Sequence, residues 1–307
     1  MPVLLLAVGL AWVWIAAIAA VAWMLSHPPR RTYAWAVARG LPGDPRELAA
    51  PLAFESWTFE LHGLMLPVWD IAGRDPGGPC IIVTPGWGDS RVGALARVPS
   101  LAQHASRLIL WDPPGLGDAP GTCRLGTREA RALAALVTHV RDGDPRTPVV
   151  LFGWSLGAGV SIEVAAGLAG IAGVIAESPY RLASTPARNV LIARGMPWRL
   201  VLPPAMALLW TLWTGRPRDP RFDRARHAAR VMCPMLVLHG ELDAVAPIAD
   251  GREIATAAPN ARLECIAGAG HNNLWTDHAA RSAAAVREFL TSLAARAPSP
   301  PAPTLPA

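Results

Sequence analysis

Lysine is absent from the chain: all 28 basic residues among the 307 are arginine. A Walker-type phosphate loop and a Schiff-base enzyme both need a lysine side chain, so neither class fits this sequence. The arginines are scattered, with no long basic run and no nucleic-acid-binding motif, although the formal net charge is +5. Because a nucleic-acid footprint would be clustered, we expect no nucleic-acid partner.

Cysteine is scarce as well. The four cysteines are Cys80, Cys123, Cys233 and Cys265, and none are paired at metal-ligand spacing. Three of them border or lie in apolar, strand-like runs, where a free cysteine behaves as a small hydrophobic residue. Because disulfide frameworks are typical of small secreted domains, we expect neither a disulfide framework nor a metal site in a chain of this length.

Charge is missing altogether from positions 3–25. These 23 positions exceed the roughly 20 that span a bilayer. A cleaved signal peptide is one alternative, with Ala-Val-Ala at 20–22 as the cleavage site. Signal peptides usually have a basic start and a shorter apolar run, and this sequence has neither. A buried core helix is the other, although Trp12, Trp14 and Trp23 suit lipid better. The favoured interpretation is an uncleaved transmembrane anchor.

The charges beside this segment predict its orientation. Arg30, Arg31 and Arg39 follow the apolar run, and only the terminal amine precedes it. The positive-inside rule then places the remainder of the chain in the cytoplasm. Unpaired cysteines agree with such a reducing compartment.

Strand-like and helix-like segments alternate through most of the remaining chain. Two short runs, 54–61 and 64–71, flank His62-Gly63 and predict a β-hairpin. The alternation after this hairpin predicts an α/β fold, with a mostly parallel central sheet and helices on both faces. Further strands are predicted at 80–83, 107–111, 149–152, 173–176, 235–239 and 262–266, and helices at 127–140, 155–168, 248–257 and about 274–295.

Composition divides the chain into segments, and no internal repeat is visible. The predicted segments are a transmembrane anchor at 1–26, a Pro-rich polar connector at 27–52, an α/β domain at 53–296 with an insertion at 181–230, and a disordered Pro- and Ala-rich tail at 297–307.

The strongest motif is Gly153-Trp154-Ser155-Leu156-Gly157, which directly follows a predicted strand and opens a predicted helix. This strand–turn–helix context is that of a nucleophile elbow. The serine must sit on a tight turn with its hydroxyl above the sheet, so glycine is needed two residues before and two after it. We therefore predict Ser155 as a nucleophile and the Leu156 backbone amide as an oxyanion donor.

With this motif the sequence resembles the α/β-hydrolase superfamily, over roughly residues 54–295. The run Pro-Gly-Trp-Gly at 85–88 follows the third strand, where that family usually has His-Gly. The resemblance implies that the Trp87 backbone amide is the second oxyanion donor. Residues 112–117, Asp-Pro-Pro-Gly-Leu-Gly, resemble the family's Asp-x-Pro-Gly-x-Gly turn and are interpreted as structural.

A serine hydroxyl needs a general base, and the base needs an orienting acid. The resemblance implies the chain order Ser, acid, His. The run His-Gly-Glu-Leu-Asp at 239–243 resembles the family's His-Gly-x-x-Asp and implies Asp243 as the acid. Glu241 and Glu177 are the alternatives, the latter because it follows the preceding strand. His271, in a glycine-rich run just past the last strand, is the predicted base.

The insertion at 181–230 lies where this superfamily places its lid. Its apolar centre, 200–213, is interrupted by Pro203-Pro204 and is too short to span a bilayer. One interpretation is a helix that packs in the core. The other is a lid whose Trp210 and Trp213 meet the membrane and line an acyl-binding pocket.

The resemblance implies hydrolysis of carboxyl esters through an acyl-enzyme, with no cofactor, and a small ester or lipid-like substrate. Thioesterase, peptidase and acyltransferase activities use the same triad and stay open. An aspartate nucleophile is excluded by Ser155. A catalytically silent, membrane-tethered binding protein is the alternative from another class.

Overall fold

The computed structural model describes residues 1–216 and 223–295, so the predicted disordered tail lies outside the described residues. An eight-stranded sheet has the strand order β1-β2-β4-β3-β5-β6-β7-β8. Strands β3 to β8 are parallel, and β1 and β2 form an antiparallel hairpin at one edge. This confirms the predicted sheet. The strands are β1 Phe54–Leu61, β2 Leu64–Ala72, β3 Cys80–Thr84, β4 Arg107–Trp111, β5 Val149–Trp154, β6 Ile171–Glu177, β7 Met235–Gly240 and β8 Ala261–Ile266.

Helices cover both faces of the sheet, as predicted. The described helices are α1 Pro2–Ser26, α2 Tyr33–Val37, α3 Arg91–Ala94, α4 Val98–Leu101, α5 Thr127–Gly143, α6 Leu156–Gly167, α7 Ser184–Ala193, α8 Trp198–Thr214, α9 Arg224–Ala228, α10 Ile248–Ala257 and α11 Ala279–Ala294, with short 3-10 turns at Pro45–Glu47 and Ala102–His104. The last helix begins later than predicted because the Asn273 carbonyl accepts backbone N–H groups of a preceding turn.

The strands separate two apolar cores because side chains alternate across a sheet. In β3, Ile82 belongs to the core that contains α5 and α6, whereas Ile81 and Val83 belong to the core under α3, α4 and α11. Both faces of the central strands are therefore buried, which explains their unbroken apolar runs. The end of α1 packs into the first of these cores through Val21 and Leu25.

The predicted connector at 27–52 is packed against the domain over much of its length. Ala36, Leu48 and Leu52 are buried in the core under α3, α4 and α11. The Arg30 guanidinium donates hydrogen bonds to backbone carbonyls at 117, 119 and 121. Arg31 forms an ion pair with Asp89 at 2.8 Å. The segment therefore fixes α1 to the domain instead of acting as a loose tether.

Helix α1 is the one described helix long and apolar enough to cross a membrane, with a mean hydropathy of 2.5 over its most apolar window. Most of it is exposed up to Ala20, whereas Val21, Ala22, Leu25 and Ser26 near its end are buried. Helix α1 also packs along α8. By length and composition alone, α1 fits a signal sequence equally well. Its end also packs against the domain, which length and composition do not require.

Helix α8 is continuous, so the predicted interruption at Pro203-Pro204 is wrong. A proline has no N–H, and at this position Pro204 leaves the Leu200 carbonyl without its helical donor. The indole Nε1 of Trp14, on α1, donates to that carbonyl at 2.9 Å. A side chain 186 positions away thus satisfies the backbone group that the proline frees.

Candidate active site

The Gly-x-Ser-x-Gly turn, the predicted nucleophile elbow, connects β5 to α6. Ser155 has φ 54° and ψ −112°, a strained conformation for a residue with a side chain. A Cβ on Gly153 would lie 2.2 Å from the Gly157 carbonyl oxygen, and one on Gly157 would lie 2.1 Å from the Thr84 carbonyl oxygen. The Ser155 N–H donates to the Glu177 carbonyl at 2.8 Å. Both motif glycines are therefore required by close backbone approach.

The three side chains expected to act together lie in one hydrogen-bonded chain. The Ser155 Oγ is 3.1 Å from His271 Nε2. His271 Nδ1 is 2.7 Å from Asp243 Oδ2. The other Asp243 oxygen accepts the backbone N–H groups of Val245 at 2.9 Å and Ala246 at 2.7 Å. In this arrangement the imidazole can take a proton from the hydroxyl while the carboxylate holds the opposite ring nitrogen protonated.

His239 supports the loop after β7 that carries Asp243. The sequence motif alone does not show this role. Its buried ring places Nε2 2.8 Å from the Ala246 carbonyl and 3.5 Å from Asp243 Oδ2. Burial lowers the pKa of His239, so the ring is neutral near pH 7. The neutral ring donates from Nε2 to the Ala246 carbonyl, which fixes the loop whose amides bind Asp243.

The two alternative acids are engaged elsewhere. Both carboxylate oxygens of Glu177 pair with the Arg97 guanidinium, and one also accepts the Trp275 indole N–H at 2.7 Å. The Arg97 guanidinium lies 3.9 Å from the centre of a Trp154 ring. Glu241 is exposed and accepts the Gly268 N–H at 3.1 Å. His271 bonds to Asp243 and to neither of these.

The two predicted oxyanion donors lie near Ser155: Leu156 follows it in the chain, and Trp87 lines the same cavity. Within residues 1–216 and 223–295, neither the Trp87 nor the Leu156 backbone amide donates a hydrogen bond. The loop at 84–88 packs directly on the elbow, since a Cβ at Gly157 would meet the Thr84 and Pro85 carbonyls. The Trp87 indole N–H points elsewhere and donates to the Leu25 carbonyl, at the end of α1, at 2.9 Å.

A cavity of about 290 Å³ opens onto Ser155 and His271. Two helices supply much of its apolar lining. Helix α7 supplies Pro186, Ala187, Val190 and Leu191, and the last turn of α1 supplies Val21, Met24 and Leu25. Sequence reasoning missed both walls, although α7 shows the signal of apolar residues at helical spacing.

Trp210 and Trp213, the predicted substrate-binding residues, are not among the residues that line this cavity. Trp210 is buried in the core beside Leu209, and its ring meets that of Trp213 edge-on, with centroids 5.4 Å apart. This position is the one that the core-packing alternative describes. The apolar face of α8 packs in the core and along α1, while α7 faces the serine.

Within the part of the chain that the structure describes, no group of three or more His, Cys, Asp or Glu side chains could hold a metal ion. The four cysteines are free.

Comparison with known proteins identifies the family and the fold. The model of the Alpha/beta hydrolase family matches residues 81–285. No curated protein matches the chain in sequence. The esterase Pf2001 of Pyrococcus furiosus has a similar fold, with a TM-score of 0.68 and 20% identity over 87% of this chain and 98% of that one.

Two further solved structures share the fold. A thermophilic esterase of Thermogutta terrifontis has a TM-score of 0.57 and 21% identity over 78% of this chain and 99% of its own. The esterase RhEst1 of Rhodococcus sp. ECU1013 has a TM-score of 0.57 and 20% identity over 79% of this chain and 99% of its own. Because the family model matches more than half of its length, this chain belongs to the alpha/beta hydrolase family.

Proposed function

We propose that the protein is a membrane-attached serine hydrolase that cleaves carboxyl esters with apolar acyl groups. The observation that carries the proposal is the hydrogen-bonded chain from Ser155 through His271 to Asp243. It is supported by the esterase names of the structural neighbours, and by a cavity beside the serine whose walls are mostly apolar.

The proposed reaction has two halves. Ser155 Oγ attacks the ester carbonyl as His271 Nε2 removes its proton, and the Trp87 and Leu156 amides stabilise the oxyanion. The intermediate collapses to an acyl-enzyme, and the alcohol leaves with the proton held by His271. Water then attacks the acyl carbon, His271 takes a proton from it and returns it to Ser155, and the acid is released.

The substrate preference follows from the size of the cavity. A volume of about 290 Å³ lies near the lower bound of roughly 300 Å³ for small-molecule sites. Each methylene that enters an apolar wall should contribute about 0.8 kcal/mol until the cavity is full. Across p-nitrophenyl esters of two to twelve carbons, kcat/KM should rise and then fall, with its maximum at a medium chain length. A maximum at two carbons would contradict an acyl-binding cavity.

Attachment to a membrane is supported by the exposed part of α1. Residues 2–20 would extend about 29 Å as a helix, close to the roughly 30 Å of a hydrocarbon core. The exposed apolar side chains of α8, Leu200, Leu208 and Leu212, share one side of that helix and add to the apolar surface. The arginines at 30, 31 and 39 favour a cytoplasmic domain.

The attachment can be tested on the full chain. It should stay with the membrane fraction after washing in alkaline carbonate, and its amino terminus should be intact. Uncleaved α1 is favoured by contacts that cleavage after Ala22 would remove: Val21 and Ala22 are buried in the core, and the Trp14 indole N–H donates to the Leu200 carbonyl. Recovery of a mature protein that begins after Ala22 would instead show a cleaved signal sequence and an exported enzyme.

A further inference from the structure

The last turn of α1 is held to the catalytic domain by its own backbone. The final carbonyls of a helix lack intrahelical donors. Here the Leu25 carbonyl accepts the Trp87 indole N–H at 2.9 Å, and the Ser26 carbonyl accepts the Cys123 backbone N–H at 2.9 Å. The domain therefore completes the hydrogen bonding of the end of α1 and fixes its position.

The end of α1, held in this position, forms one wall of the cavity beside Ser155. Val21, Met24 and Leu25 are spaced by three and four residues, so their side chains share one side of the helix. Pro186, Ala187, Val190 and Leu191 of α7 line the cavity from another side, and Ser155 and His271 are among its other lining residues. An apolar chain esterified to Ser155 would therefore lie between α1 and α7.

We infer that the last turn of α1 determines acyl-chain specificity: Val21, Met24 and Leu25 set the chain length that the enzyme accepts. This inference rests on the proposed hydrolase activity. It assigns to the proposed anchor a direct contact with the acyl group, in addition to attachment. The position of this wall is rigid because Arg30 and Arg31 bind the domain immediately after the turn.

The test compares Val21 with its neighbour. Val21 is buried and lines the cavity, whereas Ala20, one residue earlier, is exposed. The full chain in detergent is assayed with p-nitrophenyl esters of two to twelve carbons. Val21→Phe should fill the cavity, and Ala20→Phe adds the same phenyl ring outside it. Val21→Ala should lengthen the cavity.

For Val21→Phe, the ratio of kcat/KM for the best wild-type ester to that for the acetyl ester should fall by about tenfold or more, because each excluded methylene is worth about fourfold. Val21→Ala should move the maximum to a longer ester, and Ala20→Phe should leave the profile as in wild type. If Val21→Phe does not fold, the direction of the Val21→Ala shift decides the matter alone.

Failure of the inference and failure of the proposed activity give different results. A wild type that hydrolyses the series with a clear maximum, while both Val21 variants keep that maximum, overturns the inference and leaves the activity in place. A shift in Ala20→Phe equal to that in Val21→Phe also overturns it, because the effect would then come from α1 as a whole. A folded wild type that hydrolyses none of the esters contradicts the activity itself.

Discussion

Asp243→Asn should lower kcat by about 10⁴-fold, the loss typical of this exchange in serine triads. The reason lies in how the carboxylate is held. One oxygen accepts the backbone N–H groups of Val245 and Ala246, so in asparagine the carbonyl oxygen keeps those bonds. The amide NH₂ then faces His271 Nδ1 and donates to it. Nε2 must in turn carry the proton and cannot accept one from Ser155.

The alternative acids provide matched controls for this measurement. Glu241→Gln keeps an oxygen for the Gly268 N–H and should leave kcat near the wild-type value. Glu177→Gln should lower stability by about 3 kcal/mol or more, because it leaves the buried Arg97 without its anionic partner. Its kcat, corrected for the folded fraction, should change little. A larger loss of kcat in Glu177→Gln than in Asp243→Asn would make Glu177 the acid.

Gly157→Ala should destabilise the protein by about 3 kcal/mol or more and remove activity. The added Cβ would lie 2.1 Å from the Thr84 carbonyl oxygen, so the elbow and the end of β3 must separate. That separation would also move the loop that carries Trp87. The midpoint of thermal unfolding should fall by about 6 °C or more.

The control for this change lies in the same helix. Gly167, the last residue of α6, has no atom within 4 Å of an added Cβ and no positive φ. Gly167→Ala should therefore be neutral or stabilising by up to about 1 kcal/mol. Equal stability of the two variants would show that close packing at the elbow does not require glycine at position 157.

Much of the sheet, and the three side chains that the structure joins by hydrogen bonds, could be predicted because their signals are local. The Gly-x-Ser-x-Gly run needs only five residues, and β1 and α10 have the predicted bounds because turns and apolar spacing mark both ends. Asp243 and His271 follow strands in the chain order of the family. Their hydrogen-bonded arrangement follows from parallel strands that end at the same edge of the sheet.

The features that sequence reasoning missed depend on contacts between distant residues. Trp14 donates to a carbonyl that Pro204 leaves free, and Trp87 donates to Leu25, across separations of 186 and 62 positions. The sequence of an apolar stretch also does not indicate which element of the fold it packs against. For that reason the apolar centre of α8 left two interpretations open, a core helix or a pocket lined by Trp210, and gave no pointer to α7 and the end of α1, which line the cavity beside Ser155.

Covalent labelling of the full chain with a fluorophosphonate tests the central claim most directly. The account predicts one adduct, located by mass spectrometry on the peptide that contains Ser155. Labelling should disappear in Ser155→Ala and become much slower in His271→Ala, since the hydroxyl then lacks its base. A folded protein that resists the reagent, or an adduct that persists in Ser155→Ala, would contradict Ser155 as the nucleophile.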